Sequence, residues 1–327
     1  VAVGPERATR TWELNLASGP SAVKGRAVVT LTSDATSSEV AVDKAGRAIA
    51  IIGPDFGLRL FHGDGSPAGT PVQTDAPTAV ALSPDGRTYV TGTLDRTFTV
   101  GEVASGKTVK QFPDTGGQMI DVLAFDTTGD RFVAGLRDGC ARIYRLDGAL
   151  AGEHCSGPGS VSAAMFSANG SLILGTSAGD VEFRNVEANR QDWAIRAFNG
   201  APVTAFALHP SGSTLFVAGP LGLRVLDINS GTMLNLPMSQ STTPLTGVAV
   251  SPDGRLLVGS KAGYGFLFWR AGWQEWLAAG CDRLRQHPLL VEGGNRPVSI
   301  PTLADSVLIE PFRAVAVCDG LNQVRRP

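Results

Sequence analysis

Val80-Ala-Leu-Ser-Pro-Asp-Gly86 returns almost letter for letter as Val248-Ala-Val-Ser-Pro-Asp-Gly254. Each copy joins an alternating apolar run to a tight turn. Pro holds φ at about −65° where the turn begins, and Gly supplies the positive φ that ends it. Four looser copies complete the set: VAVDKAG at 40–46, LAFDTTG at 123–129, MFSANG at 165–170 and FALHPSG at 206–212. The turn glycines Gly46, Gly86, Gly129, Gly170, Gly212 and Gly254 are spaced by 40, 43, 41, 42 and 42 residues. A second apolar run follows each glycine, as in RTYVTGT (87–93), RFVAGL (131–136) and RLLVGS (255–260). A third follows that, as in RTFTVGE (96–102), CARIYR (140–145) and YGFLFW (264–269). Polar turns such as ASGK at 104–107 and NSGT at 229–232 lead into a short fourth strand.

A steady period near 40 residues, with four short strands per period, is the signature of propeller blades. One such unit cannot bury both of its faces, but units stacked radially cover one another. The sequence therefore predicts an all-β, seven-bladed β-propeller over residues 1–270. Six blades come from the six repeats. The seventh is a partial blade over 1–32, with VAVG (1–4), TRTWELN (9–15) and RAVVTLT (26–32) as its second, third and fourth strands. Its missing first strand comes either from FRAVAVCDG (312–320), whose strand portion is 312–318, or from chain upstream of Val1. Residues 271–327 read as a C-terminal extension. Trp273, Trp276, Leu277, Gly280, Cys281 and Leu284 recur at helical spacing, and Pro288 ends the helix.

The pattern resembles the WD-repeat family. The Ser-Pro-Asp-Gly turns carry that resemblance, with Trp269 ending a third strand, Trp12-Glu13 where the family has Trp-Asp, and Asp95 and Asp138 at the family's structural aspartate. Leu226-Asp227 keeps only the aspartate. The Gly-His dipeptide before the first strand is absent, and Phe61, Gly101, Tyr144 and Arg184 replace the tryptophan of other blades. The segment GCDRLRQHPLL followed by AVAVCD resembles tails that close WD-repeat arrays in large bacterial signalling and conflict proteins. That resemblance implies a sensor or scaffold module with an effector region upstream. It also brings Cys281 and Cys318 together, either as two thiols or as a disulfide.

Bulk properties narrow the function. A hydrophobic fraction of 43% supports a large core rather than disorder, and 28 Lys+Arg against 30 Asp+Glu argues against a phosphate-binding surface. No apolar run is long enough to span a bilayer, so neither nucleic acid nor membrane is expected as partner. The N-terminus, Val1-Ala2-Val3-Gly4, has no Met and no signal-peptide pattern, and reads as a piece of a longer chain. Four cysteines, Cys140, Cys155, Cys281 and Cys318, without any C-x-x-C pair, read as small apolar residues in a reducing cytoplasm.

Two stretches spell catalytic motifs. Gly101 to Thr108 fits G-x-x-x-x-G-K-[ST], but a P-loop needs a helix next, and VKQF (109–112) is in phase with a fourth strand. Gly175-Thr-Ser-Ala-Gly179 fits G-x-S-x-G, but falls at a turn between two strands. The histidines, His62, His154, His209 and His287, are dispersed. Asp43, Asp85, Asp126 and Asp253 are expected to bond their own turns. No cofactor or metal is expected, and the chain is expected not to be an enzyme. The alternative is a lactonase-like metal-dependent hydrolase, with acidic ligands converging at the mouth of the central channel.

In the WD-repeat family the rim formed by turns between second and third strands, with the loops between blades, is the usual partner-binding face. The resemblance places Asp55, Phe56, Asp95, Arg96, Arg137, Asp138, Lys261 and Tyr264 there, with Asp114, Gln118, Asn199 and Gln240 in loops between blades. The expected partner is another protein, or the upstream effector region of the same one.

Overall fold

The structure, a computed structural model, describes residues 2–4, 8–15 and 24–32 by their backbone, and 39–271 except 54–56, 115, 158, 235–241 and 262–264. Every regular element among the described residues is a β-strand. The first three, β1 (Ala2–Gly4), β2 (Ala8–Asn15) and β3 (Lys24–Thr32), form an antiparallel sheet in sequence order. Six further sheets follow, each a meander of consecutive strands. Blade one holds β4 (Glu39–Val42), β5 (Ala48–Ile52), β6 (Gly57–His62) and β7 (Val72–Gln73). Blade two holds β8 (Pro77–Leu82), β9 (Thr88–Thr93), β10 (Thr97–Glu102) and β11 (Thr108–Pro113). Blade three holds β12 (Ile120–Phe125), β13 (Arg131–Leu136), β14 (Cys140–Arg145) and β15 (Leu150–Cys155). Blade four holds β16 (Val161–Phe166), β17 (Leu172–Thr176), β18 (Asp180–Asn185) and β19 (Arg190–Arg196). Blade five holds β20 (Ala205–Leu208), β21 (Thr214–Gly219), β22 (Gly222–Asp227) and β23 (Thr232–Met233), and blade six β24 (Leu245–Val250), β25 (Leu256–Lys261) and β26 (Phe266–Arg270).

The first strands β4, β8, β12, β16, β20 and β24 lie side by side in succession, which is the arrangement of a β-propeller. Among the described residues it has six blades, where the sequence predicts seven. Among the described residues the N-terminal sheet has three strands and no counterpart of the innermost strand that opens each of the six blades, although β1 lies against β4 as β5 lies against β8. The helix expected over 273–285 and the ring-closing strand at 312–318 lie outside the described residues.

Burial is most complete on the second strands, while innermost strands such as β4, β12 and β20 are only partly covered, and the sequence follows it. The second strands carry unbroken apolar runs because both faces are covered. All of Ala48–Ile52 and all of Leu172–Thr176 are buried. The outer strand β11 is exposed at Thr108 through Gln111, and reads as polar. Between blades the cores are continuous. Phe98, Phe112, Phe132 and Tyr144 meet across the second and third blades at centroid distances of 5.0 to 6.4 Å.

The repeated turn is built from its own side chains. In Ser83-Pro84-Asp85-Gly86, Gly86 has φ +70°, and its N–H donates to the Ser83 carbonyl at 2.9 Å. The Ser83 hydroxyl donates to Asp85 and accepts the Thr88 N–H. Asp43, Asp126 and Asp253 likewise take backbone N–H groups of their own turns.

One-residue bulges recur at two places. On the first strands of blades two, three, four and six the ladder slips at Thr78, Asp121, Ser162 and Thr246. A bulge re-aims the extra residue, and in blades two and four it turns a hydroxyl toward the next blade. Thr78 donates to the Ile120 carbonyl at 2.9 Å and Ser162 to that of Val203 at 2.7 Å. Thr204, just ahead of β20, donates to Leu245 at 2.9 Å. On the third strands the slip falls at Val100/Gly101, Ile143/Tyr144 and Phe183/Arg184, and β2 repeats it at Thr11/Trp12.

Candidate functional site

The third strand of blade three alternates between two seams. Ala141 and Ile143 pack toward blade four, in a cluster with Val161, Phe166 and Leu172. Arg142 and Tyr144 point the other way, toward blade two, where Tyr144 joins Phe98 and Phe132. The alternation therefore drives a guanidinium into a buried seam, and a carboxylate from the loop after β11 meets it there. Asp114 and Arg142 are 4% and 7% exposed.

Asp114 is saturated. One oxygen accepts the N–H groups of Gly116 and Gln118 at 3.0 Å each and Arg142 Nη1 at 3.2 Å. The other accepts the Tyr144 hydroxyl at 2.7 Å. Arg142 continues outward through Nε to Glu153 at 2.7 Å and through Nη2 to Asp138 at 3.3 Å. Burial pulls the Arg142 pKa down, but Asp114, Glu153 and Asp138 together outweigh it and hold it above the ordinary value. Gly116 closes the seam as bare backbone, since a Cβ there would lie 2.5 Å from the guanidinium. On the rim beside it Arg137 bonds Asp121 at 2.9 Å. Two guanidinium groups thus stand among four carboxylates, leaving this sector of the rim acidic.

Beside this network Cys140 and Cys155 form a disulfide. They are directly opposed in β14 and β15. The Ser156 N–H donates to the Gly139 carbonyl just beyond them, which makes theirs a non-hydrogen-bonded pair, the closer of the two antiparallel spacings. This corrects the reading of these cysteines as isolated apolar residues. The expected pair, Cys281 and Cys318, lies outside the described residues. Among the described residues, the metal-ligating side chains that come together are Cys140, Cys155 and Glu153, with ligand atoms all within 4.8 Å of one another.

The opposite face of blade three carries His154, buried between blades three and four. Its Nε2 has no hydrogen-bond partner among the described residues. Burial first, and the Arg184 charge second, lower its pKa. Arg184 pairs with Glu182 at 2.7 Å and donates to the Cys155 carbonyl at 3.2 Å, while the Ser156 hydroxyl donates to Glu182 at 3.0 Å. A separate anomaly lies on innermost strand β4. Burial pushes the Glu39 carboxyl up to about 8, against the opposing effect of the Val80 N–H bonded to it.

Of the residues expected on the partner-binding rim, Asp95, Arg96, Arg137, Asp138 and Lys261 are all exposed at or beside turns between second and third strands. Asp95 accepts the Thr93 hydroxyl, Arg96 has φ +69°, and Asp138 accepts the Cys140 N–H at 2.9 Å. Asp55, Phe56 and Tyr264 lie outside the described residues. The same turns also expose apolar side chains that sequence reasoning passed over, Leu94, Leu221 and Phe266. The two motif look-alikes are blade turns: Thr108 opens strand β11, and Gly179, at φ +94°, leads into β18.

These contacts define a propeller with polar clusters in the seams between blades and on both rims. The chain matches no protein-family model and no curated protein. No helix among the described residues is long and apolar enough to cross a membrane.

Proposed function

We propose that this chain is a non-catalytic recognition module of WD-repeat type. In this reading it serves as the sensor or scaffold part of a larger bacterial signalling or defence protein and works in the cytoplasm. The observation that carries it is the composition of one rim. There Arg96, Arg137, Asp138 and Lys261 stand exposed with Leu94, Leu221 and Phe266. Apolar tips among fixed charges are what a protein partner can desolvate and pair with.

The test is affinity capture with the purified chain beside an Arg96→Ala/Arg137→Ala/Lys261→Ala variant. A protein held by the parent and lost by the folded variant is the expected result. Equal capture by both overturns the assignment of the rim.

A further inference from the structure

We propose that Cys140, Cys155 and Glu153 form a binding site for a thiophilic divalent cation, Zn²⁺ foremost, when the cystine is in its dithiol form. The strand register supplies the geometry. Cys140 and Cys155 are cross-strand partners, and Glu153 lies two residues before Cys155, so all three side chains leave the same face of blade three. Their ligand atoms already lie within 4.8 Å of one another. With Zn–S bonds of about 2.3 Å, a tetrahedral site sets its sulfurs roughly 3.8 Å apart. Side-chain rotation separates the sulfurs of the reduced pair without moving either strand.

The donor set selects the metal. Two thiolates and a carboxylate favour zinc-like ions over Mg²⁺ or Ca²⁺, which take all-oxygen shells. Three protein ligands leave a fourth position, and Cys155 and Glu153 are exposed, so water or a partner's side chain has access to it. Glu153 has to give up Arg142, and Arg142 keeps Asp114 and Asp138 when it does. The acidic surplus around the site compensates the incoming charge. The electron balance is simple. A dithiol reductant gives two electrons and two protons to the cystine and becomes a disulfide itself. Metal binding then releases the two thiol protons to solvent. A reducing cytoplasm would hold the pair in this form, but the site itself does not depend on the recognition role.

The experiment uses the whole chain carrying Cys281→Ser and Cys318→Ser, reduced with a phosphine and titrated anaerobically with Co²⁺. The expected result is a thiolate-to-cobalt charge-transfer band that saturates at one ion per chain and is displaced by Zn²⁺. Cys140→Ser/Cys155→Ser should abolish the band, and Glu153→Gln should weaken binding roughly tenfold or more. The oxidised chain should give no band. A reduced, folded chain without a band overturns the proposal, as does a band that survives loss of both cysteines. Because the cysteine variant can fail to fold, a second measurement needs no variant of the pair. Zn²⁺ should slow alkylation of Cys140 and Cys155 in the reduced chain, read peptide by peptide, and unchanged alkylation rates also overturn it.

Discussion

Asp114 and Arg142 close the seam between blades two and three at 3.2 Å, with the Asp114 side chain wholly out of solvent. The two are not equivalent. Removing Asp114 strands the N–H groups of Gly116 and Gln118, the Tyr144 hydroxyl and one arm of the guanidinium together. Removing Arg142 leaves Asp114 with three of its bonds. Breaking one side of a buried pair costs about 3–5 kcal/mol. Asp114→Ala should fall in that range, and Arg142→Met should cost less, about 2–3 kcal/mol, with Glu153 and Asp138 merely released to solvent. Urea unfolding of both variants checks the order. Arg142→Met as the more damaging change would mean that the guanidinium, not the loop aspartate, organises the seam.

Gly101 opens the stretch that imitates a phosphate loop, and its real constraint is a ring. It occupies the bulged third-strand position that Tyr144 and Arg184 hold in blades three and four, and Tyr89 from the second strand fills the space instead. A Cβ on Gly101 would come within 2.3 Å of the Tyr89 ring. Gly101→Ala should therefore destabilise by about 1–3 kcal/mol. Lys107→Ala, on an exposed turn, should stay within about 0.5 kcal/mol of the parent. Thermal melts of the two variants, with and without ATP, separate the readings. A nucleotide-dependent shift in the parent that Lys107→Ala removes would restore the phosphate-loop interpretation.

How much of this was legible follows from where each feature is encoded. The turns were, because Ser83-Pro84-Asp85-Gly86 states its own hydrogen bonds within four residues. The rim turns were, because they recur with the period. Cys140 and Cys155 were not. Pairing outward from the β14–β15 turn matches Tyr144 with Leu150, and an unbroken ladder from there would set Cys140 opposite His154. The bulge at Ile143/Tyr144 shifts the register by one residue and brings Cys155 into place. The Asp114–Arg142 pair was hidden for a similar reason. An arginine inside CARIYR looks like the polar half of an alternating strand, and only packing against blade two makes that half buried. The blade count missed because β1–β3 has the strand pattern of a blade but, among the described residues, no innermost strand.

His154 gives the fold a pH dependence whose sign is set by its surroundings. It is buried, faces Arg184 with Glu182 behind it, and its Nε2 has no hydrogen-bond partner among the described residues. Its folded pKa is lowered, so between that value and the ordinary one near 6.5 the unfolded chain binds more protons than the folded one. Stability is fully present above pH 6.5, falls as the pH drops toward the folded pKa, and levels off below it. Comparing the pH profiles of the parent and His154→Leu isolates this contribution. The variant should be flatter across that window and about as stable as the parent at neutral pH, because an apolar side chain leaves no orphaned nitrogen. An identical slope in both would place the acid sensitivity elsewhere.

Asp121 interrupts the series of hydroxyl bonds that joins successive innermost strands. Thr78, Ser162 and Thr204 each donate to the carbonyl of the residue preceding the equivalent position one blade on. Asp121 stands at that position in blade three, but an ionised carboxylate has no proton to donate. It turns to Arg137 instead, and the corresponding acceptor on blade four is the Val161 carbonyl. Asp121→Thr should supply the missing bond between blades three and four and stabilise the fold by about 1 kcal/mol. The ion pair it sacrifices is on the surface, where such pairs contribute little. A raised urea midpoint at unchanged slope is the expected outcome, and Asp121→Val, which matches the shape without the hydroxyl, should not reproduce it. The same substitution frees Arg137 on the acidic sector of the rim. If partner capture weakens in Asp121→Thr while stability rises, the carboxylate is kept there for recognition at the expense of the seam, and a stable variant that binds as well as the parent would assign Asp121 no such role.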